Sequence, residues 1–70
     1  MKKIAVFGLG RVGKLAALLL ADEGFEVVGI DQVAPSTFPL PFEQVNVNDE
    51  KAVVNILSRV DAVASCLPYH

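Results

Sequence analysis

Gly8, Gly10 and Gly13 stand in the run Gly8-Leu9-Gly10-Arg11-Val12-Gly13, which matches G-x-G-x-x-G. Each glycine answers a separate physical demand. A bare Gly8 permits a tight turn out of a preceding strand, and a bare Gly10 lets backbone approach a pyrophosphate with no side chain between them. Gly13 lets the helix that follows pack closely on that strand. The start of this helix then offers unpaired N–H groups and a partial positive charge to the phosphates. Arg11 and Val12 fill the positions between the last two glycines and join them as candidate cofactor contacts, Arg11 with a charge that can lie along the phosphates. Such a turn binds and orients; it breaks no bond itself.

The second element of that chemistry is an acid. Asp31 lies 23 positions after Gly8, close to the spacing at which a carboxylate accepts hydrogen bonds from the adenosine ribose. A carboxylate there also repels a 2′-phosphate, and the neighbouring Gln32 brings no cation to offset this, so NAD(H) is favoured over NADP(H). Asn46, Asn48 and Asp49 follow a later strand, where polar side chains can reach adenine or cap a helix; Asn48 is the adenine-side candidate. Gly8, Gly13 and Lys14 also come close to the phosphate loop of nucleoside triphosphatases. That loop needs Ser or Thr next to bind Mg²⁺. Position 15 is leucine, and the match fails where the metal chemistry would be. Cys66, the single cysteine, has no assignable His or Asp partner and reads as a buried strand residue.

These residues require particular elements around them. Ile4-Ala5-Val6-Phe7 is apolar without polar alternation, the pattern of a strand covered on both faces. A helix is predicted from Arg11 to Glu23, with Val12, Leu15, Ala16 and Leu19 as its inward face, Ala16 and Ala17 allowing close approach, and Gly24 as its C-terminal cap. Phe25–Asp31 reads as the second strand. Pro35, Pro39 and Pro41 mark 32–42 as a loop, whose Phe38, Leu40 and Phe42 can cover one side of a sheet. Gln44–Val47 is the expected third strand. Asn48 or Asp49 caps a second helix with an apolar stripe of Val53, Ile56, Leu57 and Val60. Asp61–Leu67 is the fourth strand. The alternation predicts an α/β fold with an open parallel sheet of about four strands; by analogy with the dinucleotide fold the expected order is 3-2-1-4, a truncated Rossmann-like dinucleotide-binding fold.

Bulk properties limit the alternatives. The chain has 70 residues, 53% of them hydrophobic and 20% charged. So much apolar surface in so short a chain fits residues 1–70 as the N-terminal part of a dinucleotide-binding domain, with no second domain present. A net charge of −2 and no basic cluster beyond Lys2-Lys3 argue against nucleic acid as a partner. The apolar run Leu15–Ala21 is too short for a membrane span. Together with one cysteine and no leader pattern, this leads to a cytoplasmic expectation. The fourth strand lacks a further neighbour, and self-association through that open edge is expected.

The segment Asp61-Ala62-Val63-Ala64-Ser65-Cys66-Leu67-Pro68-Tyr69-His70, taken with the glycine turn and Asp31, resembles the saccharopine dehydrogenase family. The discrimination rests on Ser65–His70, since many families share the turn. The resemblance implies that Leu67 and Pro68 line the cofactor cleft near its nicotinamide half. It also implies an oxidoreductase that uses NAD(P) to oxidise a C–N bond of an amino acid or its conjugate, as in saccharopine or lysine dehydrogenation. The 70 residues would bind cofactor without catalysing, because they assemble no acid–base pair. A second resemblance, carried by the glycine turn and Glu23–Asp31, is to the regulatory NAD- or nucleotide-sensing domains of potassium transport systems. Ser65–His70 fits those poorly.

Overall fold

Two apolar runs form the centre of the sheet. The computed structural model describes residues 2–67, and in it β1 (Lys3–Phe7) and β2 (Glu26–Asp31) pair in parallel with Ile4 opposite Val27 and Phe7 opposite Ile30. Residues 4–7 and 27–30 are buried throughout, as expected of strands covered on both faces. The remaining strands are β3 (Phe42–Gln44), parallel to β2, and β4 (Ala62–Ser65), parallel to β1. The sheet order is β3-β2-β1-β4, as predicted.

Helices α1 (Arg11–Asp22) and α2 (Glu50–Arg59) lie on opposite faces. On one face Ala17 of α1 packs with Ile4, Val6, Leu9 and Val27. On the other Ile56 of α2 packs with Ala5, Phe7, Val28 and Ile30. The Pro-rich segment shares the first face: Phe38, Leu40 and Phe42 pack against the α1 cluster, where the loop was expected to cover the sheet.

Both helices end as their residues dictate. Gly24 has φ +100°, and its N–H donates to the Ala21 carbonyl (3.0 Å) while that of Phe25 donates to Leu20 (3.2 Å). This is the left-handed cap that satisfies the last carbonyls of α1. At α2 the cap is Asp49, whose carboxylate accepts from the Ala52 N–H at 3.2 Å.

Three expectations need correction. The inward face of α1 is not Val12, Leu15 and Leu19, which are 71%, 59% and 58% exposed. Gly13 and Ala17, both expected to allow close approach, are the residues that face the sheet, with Leu20 and Ala21 packed beside them, because only small residues let the helix axis come down onto β1. Leu57 likewise points outward from α2, whereas Ile56 and the C-cap residue Val60 pack on the sheet and Val53 is half-buried. The third strand begins two residues earlier than Gln44–Val47. Pairing with the end of β2 sets its register, Gly29 with Phe42 and Asp31 with Gln44, and the Gly29 N–H already donates to Pro41.

Candidate functional site

Two of the three glycines of the turn after β1, Gly8 and Gly13, have no room to be anything else. Gly8 has φ +91°, and a β-carbon on it would come within 2.9 Å of the Cys66 carbonyl and the Leu67 nitrogen. Gly13 faces the Gly8 carbonyl so closely that a β-carbon would overlap it. Gly10 differs: nothing lies within 4 Å of the position of its missing β-carbon. Steric demands of the fold account for Gly8 and Gly13. They do not account for Gly10, which lines the cleft described below.

Gly10 is also the N-cap of α1, with no side chain capping it. The first bond of the helix runs from the Lys14 N–H to the Gly10 carbonyl at 2.9 Å. The N–H groups before Lys14 therefore have no partner within the helix, an arrangement that favours an anion.

Asp31 closes β2 beside this turn. Its Oδ2 accepts from the Leu9 N–H at 2.7 Å and its Oδ1 from the Val33 N–H at 3.3 Å. Gly8 and Gly10, Asp31 and Gln32, Val33 and Val47, and Cys66 and Leu67 together line a cleft of about 510 Å³. That volume lies within the range of small-molecule sites. The cleft opens at the carboxyl ends of β1, β2 and β4, where the strand order reverses between β1 and β4. Open α/β sheets bind ligands at such a switch point.

Five of the residues singled out in the sequence thus meet in one cleft: Gly8, Gly10, Asp31, Gln32 and Leu67. Gly13 supports it from beneath the turn. Arg11 and Val12 occupy the exposed first turn of α1 and do not line the cleft. Asn48 is exposed beyond it, its N–H donating to the Asn46 side chain at 2.9 Å. Pro68 lies outside the described residues. The sequence reading missed Val33 and Val47, the apolar walls. For Val33 a signal was present, a valine just past the expected end of the second strand; Val47 falls inside the expected third strand and reaches the cleft only because β3 ends at Gln44. Cys66 is half-buried at the cleft rather than inside the sheet. Among the described residues no group of three His, Cys, Asp or Glu could hold a metal, and no helix is long and apolar enough to cross a membrane.

No protein-family model matches the chain, and no curated protein matches it. Similar solved structures include N5-carboxyaminoimidazole ribonucleotide synthetase from Thermotoga maritima, with a TM-score of 0.86 and 24% identity over 96% of this chain and 20% of that one. The enzyme WbmH of Bordetella bronchiseptica, solved in complex with NAD+, gives a TM-score of 0.80 and 30% identity over 100% of this chain and 27% of that one. The chain therefore spans well under half the length of either structure. With the observed sheet order, these likenesses make the fold a truncated Rossmann-like one.

Proposed function

We propose that this chain is a dinucleotide-binding unit whose ligand is NAD(H). One observation carries the reading: Gly10, the N-cap of α1 with no side-chain cap, and Asp31 line the same cleft. The turn and helix start suit a pyrophosphate, and Asp31 suits ribose hydroxyls. Val33 and Val47 give an adenine ring apolar surface on which to rest. Preference for NAD over NADP follows from charge, because the lining residues include a carboxylate and no cation. The binding of NAD+ by WbmH, similar in sequence and fold over this whole chain, supports the assignment.

For the larger protein in which such a unit works, we propose the reaction that the Ser65–His70 resemblance implies: NAD-dependent oxidation of a C–N bond in an amino acid or its conjugate, with saccharopine or lysine as the first substrates to try. The unit's part is to hold the cofactor in place, which itself supplies the hydride chemistry.

The test is calorimetric titration of the chain with NADH and NADPH. NADH is expected to bind, and more tightly than NADPH, with the preference lost in Asp31→Ala. Tighter NADPH binding overturns the NAD assignment, and no binding of either overturns the dinucleotide reading. NADH formation from saccharopine or lysine by a chain extended with a substrate domain tests the oxidoreductase reading separately.

A further inference from the structure

We infer that Asp31 is the positioning residue of the glycine turn, and that β2 holds the turn in its binding shape through Asp31 before any ribose arrives. The inference rests on the dinucleotide reading and extends it. Three consecutive residues of β2 grip Gly8-Leu9. Gly29 gives the Leu9 side chain its seat: a β-carbon there would lie 2.7 Å from Leu9 Cδ1 and 2.7 Å from Phe38 Cε2. The Ile30 carbonyl accepts from the Gly8 N–H at 2.8 Å. The Asp31 carboxylate accepts from the Leu9 N–H at 2.7 Å.

These contacts differ in kind. The Leu9 side chain is buried, so packing fixes where it sits. The two hydrogen bonds fix how the peptide planes on either side of Gly8 are rotated, and with the Leu9 side chain anchored that rotation sets the path of the backbone through Leu9 towards Gly10. The bond to Asp31 is short and charge-assisted, the stronger class. The Val33 N–H holds the other oxygen, so the carboxylate is restrained from both sides. A carboxylate has about four lone-pair positions, and two backbone donors leave capacity for ribose hydroxyls. One side chain therefore links the adenosine half of a dinucleotide to the pyrophosphate half. Removing its charge should weaken both.

A purely ribose-binding Asp31 makes the opposite prediction, and three ligands separate the two: ADP, its 2′,3′-dideoxy analogue, and inorganic pyrophosphate. The full chain, its near-isosteric Asp31→Asn variant and Gly29→Ala are titrated with each by NMR, with Leu9 amide exchange recorded without ligand. The positioning role predicts that Asp31→Asn loses roughly tenfold in affinity for all three ligands, the scale of one charged hydrogen bond, and that Leu9 exchange accelerates. Gly29→Ala, which displaces Leu9 while leaving the carboxylate intact, should weaken all three as well. If Asp31→Asn binds the dideoxy analogue and pyrophosphate as the parent chain does, Asp31 serves ribose alone and the inference is overturned. An unprotected Leu9 amide in the parent chain overturns it too, without reference to any ligand. Failure of the parent chain to bind any of the three instead removes the dinucleotide reading on which the inference rests.

Discussion

The α-carbon of Gly13 is pressed against the carbonyl of Gly8, and a β-carbon there would overlap the oxygen and lie 2.8 Å from the carbon. The obstacle is backbone, which cannot rotate away as a side-chain tip can. Gly13→Ala must therefore lift α1 from β1 or open the turn. Overpacking of this kind costs about 1–3 kcal/mol, which in a domain this small lowers Tm by roughly 4–8 °C for each kcal/mol. A thermal melt of Gly13→Ala within a degree of the parent would show that the turn is less tightly packed than described.

Gly10→Ala should behave in the opposite way. Its φ of −69° is ordinary for any residue, and its β-carbon would meet no atom within 4 Å. Loss of a glycine N-cap costs about 1 kcal/mol at most, so the melt should change little. Nucleotide affinity should nevertheless fall by about tenfold or more, because the methyl group stands where a pyrophosphate must approach. A variant that binds NADH as well as the parent would remove Gly10 from the site.

These two glycines also show what was legible in the sequence. Spacing identified both, and identified Asp31, because each answers to a local rule of turn or strand-end geometry. The parallel sheet followed from the alternation of elements, and its strand order from analogy with the dinucleotide fold. The outward face of α1 was not legible: Val12, Leu15 and Leu19 have the helical period of a core stripe, and hydrophobicity alone cannot show that Gly13 and Ala17 win the sheet by being small. Val47 was assigned to a strand because it sits in an extended run. Pairing with the end of β2 places that strand earlier, at Phe42–Gln44, and leaves Val47 for the cleft. Long-range register of this sort leaves no local mark.

The short third strand carries an ion pair to α2. Arg59 at the end of α2 forms a bidentate pair with Glu43, at 3.0 and 2.9 Å. Hydrogen bonding from Arg59 holds the Glu43 carboxyl below its ordinary value of 4.5, against a smaller opposing effect of burial. A carboxylate with a depressed folded pKa contributes stability that is present above its unfolded pKa and lost as pH falls through the folded one. The contribution should thus be complete above about pH 4.5 and disappear below it. Both side chains are over a third exposed, which keeps the effect small and sensitive to salt. Urea midpoints measured from neutral pH downward should fall less steeply in Glu43→Gln than in the parent. Parallel curves would mean that the pair contributes nothing.

The two edges of the sheet are protected very differently. β3 is three residues long, follows Pro39 and Pro41, and places Glu43 in its ion pair. Such devices discourage pairing with another chain. β4, at four residues also short, has neither of the other two: from Ala62 to Leu67 there is no charge and no proline, and Val63 is 45% exposed. The Cys66 N–H turns inward to Phe7, at 2.7 Å, so by strand alternation those of Val63 and Ser65 face the open side. The chain should self-associate in a concentration-dependent way by sedimentation, and Val63→Lys, which puts a charge on the edge at an already exposed position, should return it to monomer. A chain that stays monomeric at high concentration would refute the edge as a contact. Association that survives Val63→Lys but is lost in Leu15→Glu would shift the contact to the outward face of α1, where Val12, Leu15 and Leu19 offer the competing apolar surface.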